Sequence, residues 1–139
     1  MLSKKMPYEL SPMEVDFFYR AAGTDDHSGT VDDVAKDILN GNTDLWVWEK
    51  EDSLVVVITE TCRYQDGYKE FCVKMLAGTG GVEYQSDIIE SLRKEASISG
   101  CQKMVAYLKP SIFDKFEIEK AFLRVPNSGK LYVVIGMEV

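Results

Sequence analysis

The chain has 139 residues, 45% hydrophobic and 28% charged, the size and composition of one globular domain with a core of its own. Its net charge of −7 argues against sequence-independent nucleic-acid binding, which needs basic stripes that displace counterions. The longest aliphatic run, Leu54 to Ile58, is too short to span a bilayer, and Met1-Leu2-Ser3-Lys4-Lys5 lacks the apolar stretch of a signal peptide, so a cytoplasmic protein without a membrane partner is expected.

The first strand is expected to be short and to end at Tyr8-Glu9-Leu10. Ser11-Pro12-Met13-Glu14 then opens a helix: Ser11 caps, Pro12 fits the first helical position and Glu14 completes a capping box. This helix runs to about Ala22 and stops at Gly23, with Phe17, Phe18 and Ala21 on its apolar face. Thr30-Val31-Asp32-Asp33 opens a second helix, whose apolar residues Val31, Val34, Ala35, Ile38 and Leu39 keep helical spacing up to Asn40-Gly41. A polar loop, Thr24 to Gly29, lies between them and carries the sole histidine, His27.

Three strands follow. Leu45–Glu49 alternates, with Trp46 and Trp48 on one face and Leu45 and Val47 on the other. Lys50-Glu51-Asp52 turns the chain. Ser53–Arg63 is β-branched and apolar on both faces near Leu54–Ile58, as a central strand would be. Gln65-Asp66-Gly67 reads as a hairpin turn, and Tyr68–Met75 returns. Lys74-Met75-Leu76-Ala77-Gly78-Thr79-Gly80-Gly81 then reads as a glycine-rich connection into a helix over Val82–Ser99. Backbone N–H groups there and the positive helix end would suit a phosphate. That helix carries Ile88, Ile89, Leu92 and Ala96 on one face and is capped by Gly100. A strand over Cys101–Leu108 follows, broken by Pro110. A short helix over Ser111–Lys120, a strand over Ala121–Val125, a turn at Pro126–Gly129 and a last strand over Lys130–Glu138 complete the chain.

The order is β-α-α-β-β-β-α-β-α-β-β over a single domain, residues 1–139: an α/β (α+β) fold with a mixed sheet and helices on both faces. Cys62, Cys72 and Cys101 are dispersed and have no histidine cluster, so no metal site is expected, and Cys62 and Cys72 read as buried thiols.

This order, the Gly78-Thr79-Gly80 pair and the Gly100-Cys101 entry to the next strand resemble the GNAT N-acetyltransferase superfamily over nearly the whole length. The second half looks especially similar to small GNAT-like proteins encoded by bacteriophages. The family's loop, Arg/Gln-x-x-Gly-x-Gly/Ala, aligns with Met75 to Gly80. Both glycines match, and Met75 stands where the family has Arg or Gln. The resemblance implies acetyl-CoA as cofactor, its pyrophosphate held by the backbone at Met75, Gly78, Thr79, Gly80 and Gly81, in a wedge between the last meander strand and the Cys101–Leu108 strand.

An acetyl transfer to an amine needs a base, oxyanion donors and an acid for the leaving thiolate. Glu60, at the end of the apolar run Val55 to Thr59, is the first candidate base, and Glu70 the second. The alternative for each is an exposed carboxylate on an emerging strand. Backbone N–H groups near Lys74 and Met75 would serve the oxyanion. The family's acid is a tyrosine on the helix after the fifth strand, and Ser111–Lys120 holds Phe113 and Phe116 but no tyrosine. Trp46, Trp48, Phe17 and Phe18 fit a core better than an acceptor pocket, and Lys103 and Lys109 fit a solvated surface better than a 3′-phosphate site.

Two functions stay open at this point. One is an N-acetyltransferase acting on a small-molecule or protein amine. The other is a non-catalytic GNAT-like protein with a protein partner in a virion or host. A nucleotide module ranks lower, because no Lys-Ser/Thr follows the glycines.

Overall fold

The structure is a computed structural model describing residues 1–23, 30–80, 83–108 and 133–139, with backbone alone at 107, 108 and 133–137. It is a mixed α+β fold. Among the described residues six strands form one sheet in the order β1-β2-β3-β4-β5-β6: β1 Leu2–Lys5, β2 Asp44–Lys50, β3 Ser53–Arg63, β4 Lys69–Thr79, β5 Lys103–Leu108 and β6 Val133–Glu138. All neighbours are antiparallel except β4 and β5, which run parallel. A parallel pair needs a crossover, and α3, Gln85–Ile98, supplies it. Two further helices, α1 Pro12–Ala22 and α2 Val31–Leu39, lie between β1 and β2 in the chain.

The alternation of the strands separates two cores. Leu45, Val47, Val56 and Ile58 pack with Phe17, Phe18, Ala21, Val34 and Ile38 of α1 and α2. Trp46, Trp48, Val55, Val57, Phe71 and Val73 pack with Ile88, Leu92 and Ala96 of α3. The sheet is therefore buried on both faces at its centre, which is why Leu54–Ile58 is continuously apolar. The four expected aromatics are core: Trp48 is 1% exposed, and the indole N–H of Trp46 donates to the buried Thr59 hydroxyl at 2.8 Å.

Local signals place the helix ends. Ser11 Oγ accepts from the Glu14 N–H at 3.3 Å while Glu14 accepts from the Ser11 N–H at 3.0 Å, and Thr30 with Asp33 repeats the box at α2. α3 ends in a Schellman motif: Cys101 N–H bonds Ala96 C=O, Gly100 N–H bonds Ser97 C=O, and Gly100 takes φ +78°.

Several sequence expectations are corrected. Tyr8 and Glu9 belong to a 3-10 turn, Pro7–Glu9, not to β1, because Pro7 cannot donate to a ladder. β4 extends four residues beyond Met75, because Leu76–Thr79 find partners at Leu54–Val57 of β3. α3 starts at Gln85 rather than Val82, and β5 at Lys103 rather than Cys101. Cys62 is half-buried, while Cys72 and Cys101 are buried; none of the three is in a disulfide among the described residues. His27, the helix expected over Ser111–Lys120, the strand over Ala121–Val125 and the turn at Pro126–Gly129 lie outside the described residues. No described helix is long and apolar enough to cross a membrane.

Glu14 is only 4% exposed and carries a charge, so it needs a partner. Lys5 Nζ contacts both its oxygens, at 2.9 and 3.2 Å. Burial alone would push the carboxyl up, but the Lys5 ammonium and the Ser11 N–H outweigh it and hold the group below its usual 4.5. A folded-state value below the unfolded one stabilises the protein above the unfolded value, and this is lost as pH falls through the folded one. The stability gap between the wild type and Glu14→Gln, measured by urea unfolding, should thus be largest at pH 7 and shrink below about pH 4.5. A gap that stays constant down to pH 3 would contradict the pairing.

Candidate functional site

β4 is not a regular strand. Its register with β3 runs from Leu54↔Thr79 to Ile58↔Met75, then shifts, and runs from Thr59↔Val73 to Arg63↔Lys69. Lys74 is left over: one extra residue in β4, a β-bulge. The bulge reverses the alternation. Before it, Phe71 and Val73 face α3; after it, Leu76 faces α3 while Met75 and Ala77 pack against the α1–α2 core.

The parallel pairing with β5 stops at the same place. Glu70 to Val73 pair with Lys103 to Ala106, and no described residue of β5 pairs with β4 from Lys74 onward. β5 itself continues through Tyr107 and Leu108, which pair with β6. Among the described residues, the parallel pairing of β4 with β5 therefore ends at the bulge.

The face of the β3–β4 hairpin that continues the α1–α2 side carries the polar groups. Cross-strand pairing sets Glu60 opposite Cys72 and Cys62 opposite Glu70. Both candidate bases thus lie on one face, on neighbouring pairs. Their surroundings differ. Glu70 is 9% exposed, and its two oxygens accept from the Tyr64 and Tyr68 hydroxyls at 2.8 and 3.3 Å, the two rings packed at 5.4 Å with a 45° tilt. Burial and the Glu70 charge push the Tyr68 phenol up. Glu60 is the accessible one. Its carboxylate accepts from Lys74 Nζ at 2.8 Å and opens on a polar groove of about 850 Å³, lined also by Lys4, Asp37, Asp44 and Arg63. Burial lowers the Lys74 ammonium, but the hydrogen bond and charge of Glu60 overcome it and hold the group above its usual value.

The glycine segment is placed differently from a free loop. Gly78 sits in the ladder opposite Val55, and a Cβ there would come within 2.1 Å of the Leu54 carbonyl oxygen. Gly80, at φ +80°, would press a Cβ to 2.1 Å from Ser53 Oγ. Both glycines are thus required by the approach of β4 to the start of β3. Thr79 is exposed, Met75 packs on the α1–α2 core, and Gly81 lies outside the described residues. At the start of α3, Tyr84 packs against Trp48 at 5.4 Å with a 44° tilt, and its hydroxyl donates to Glu51 at 3.1 Å. Asp87 holds Lys50 at 2.9 Å. Glu51, Glu83 and Asp87 outnumber Lys50 here, the opposite of what a diphosphate selects. Among the described residues, the cation at this helix start, Lys50, is already paired with Asp87.

Sequence reasoning found Glu60 and Glu70 but missed Tyr64, Tyr68 and Lys74. The signal was a period-two stripe, Tyr68, Glu70, Cys72 and Lys74, facing Glu60, Cys62 and Tyr64 across the turn. No protein-family model matches the chain, and no curated protein matches it in sequence.

Proposed function

We propose that the chain is a GNAT-like protein that binds an acyl-coenzyme A in the wedge between β4 and β5 and transfers the acyl group to an amine. The observation that carries this reading is the end of the described parallel β4–β5 pairing at the Lys74 bulge. The order of elements agrees with it: two capped helices after β1, an antiparallel meander, and a helical crossover into a parallel strand. Beyond Val73 no described residue of β5 pairs with β4, and an extended ligand lying there would be held as a strand edge holds one, by main-chain hydrogen bonds. Bound there, the cofactor supplies a thioester carbonyl. The N–H groups of the bulge, at Lys74 and Met75, are the candidate donors to its oxygen, and Glu60 is the residue that takes the amine proton.

Calorimetric titration of the purified protein with acetyl-CoA and with CoA tests the reading. One-to-one binding at about 1–100 μM is expected, in the range of ordinary enzyme affinities. No heat from either compound at high micromolar concentration overturns it.

A second reading has its own support. Gly78 and Gly80 are filled by contacts with β3, and the start of α3 is acidic. A GNAT-like protein that keeps the architecture without catalysis, and serves as a docking protein in a phage virion or host, would look like this. A folded protein that binds neither compound and turns over no thioester favours it.

A further inference from the structure

Lys74 is set apart from the other described lysines. Lys5 and Lys50 pair with carboxylates away from the bulge, Glu14 and Asp87, while Lys4 pairs with Asp44 at the edge of the same groove. Lys74 is itself the bulge residue, at the point where β4 leaves β5. Its Nζ lies 2.8 Å from Glu60, and its side chain is 39% exposed, so the amine is both reachable and held. A primary amine on a carboxylate, at the point where no described β5 residue pairs with β4 any longer, is an arrangement suited to acyl transfer to nitrogen.

We propose that Lys74 is an acyl acceptor in cis: its Nζ takes the acyl group from a thioester seated in the wedge. This rests on the acyl-coenzyme A reading given above. Lys74 gives one proton to Glu60 Oε2, and the freed nitrogen lone pair forms a bond to the thioester carbonyl carbon. The carbon–sulfur bond breaks, and its electron pair leaves with the sulfur. The second nitrogen proton is lost as the amide forms and returns to the thiolate by way of solvent. The products are an N-acyl-lysine and a free thiol, with no change of oxidation state. Glu60 then releases the proton it took to solvent; because acylation removes the lysine charge, the Lys74–Glu60 ion pair is lost and the carboxylate faces the groove without that counter-charge.

The experiment is peptide-resolved mass spectrometry of the whole protein incubated with acetyl-CoA, alongside acetyl phosphate as a probe of intrinsic lysine reactivity. With acetyl-CoA, Lys74 should be acetylated at least about tenfold faster than Lys4 or Lys50, at a rate per molecule independent of protein concentration. With acetyl phosphate this preference should vanish. Glu60→Gln should slow the reaction at Lys74 at least about tenfold, the lower part of what a positioned base contributes. Lys74→Arg keeps the cation and the ion pair and should abolish the modification there, with an unchanged melting temperature showing that the fold is intact. If calorimetry shows acetyl-CoA bound while Lys74 reacts no faster than Lys4, the acceptor assignment is wrong and the cofactor reading stands. If acetyl-CoA does not bind, both fall.

Discussion

Trp48→Ala should cost about 3–5 kcal/mol, the range for removing a large aromatic from a packed interior. Trp48 is 1% exposed, lies opposite Val55 on β3 and Leu2 on β1, and belongs to the core beneath α3. Its ring packs against Tyr84, the residue at the N-terminal cap of α3, at 5.4 Å and 44°. That cap has no side-chain hydrogen bond of its own, so the aromatic contact, the Tyr84–Glu51 bond and the Lys50–Asp87 pair fix where α3 begins. Removing the indole leaves a cavity and frees the helix start at once. Trp48→Phe should recover about half of the loss, since an aromatic ring remains to meet Tyr84. Urea unfolding of the three proteins checks the order. A cost below about 1 kcal/mol for Trp48→Ala would mean that α3 is seated by other contacts.

Helix ends and faces were readable because their causes are local. Ser11, Pro12 and Glu14 lie within one turn, and the alternation of Leu45–Trp48 assigned each side chain to the face it occupies. The glycine segment misled for the same reason. Gly78 and Gly80 carry the local signal of a turn, but Leu76–Thr79 are held in the sheet by Leu54–Val57, far earlier in the chain, and register outweighs local preference. The bulge is hidden in a similar way. Phe71, Val73 and Leu76 share a face only because Lys74 breaks the period, which no single strand reveals without its partner. At the site, Glu60 and Glu70 were visible as carboxylates at the end of an apolar run and on its return. Their partners were not, since Lys74 reaches Glu60 across fourteen positions and depends on that bulge.

Gly78→Ala separates the two roles a glycine in this segment can have. If the residue is glycine to leave room for a ligand, alanine keeps the fold and loses the ligand. The geometry gives the other answer. An added Cβ would stand 2.1 Å from the Leu54 carbonyl oxygen and 2.6 Å from Val55 Cα, both backbone atoms of a central strand that cannot rotate away. Either β4 detaches beyond Ala77 or β3 is pushed aside, and both disturb the packing of Val55 and Val57 against α3. The expected cost is about 3 kcal/mol, the upper part of the range for overpacking. Gly80→Ala meets a softer obstacle, because its nearest atom is the Ser53 hydroxyl, and combining it with Ser53→Gly should relieve most of the clash. No such partner exists for Gly78, whose obstacle is main chain. A Gly78→Ala protein with wild-type stability that no longer binds acetyl-CoA would return the segment to a ligand cradle. A protein destabilised by several kcal/mol in the absence of any ligand assigns the glycine to the sheet.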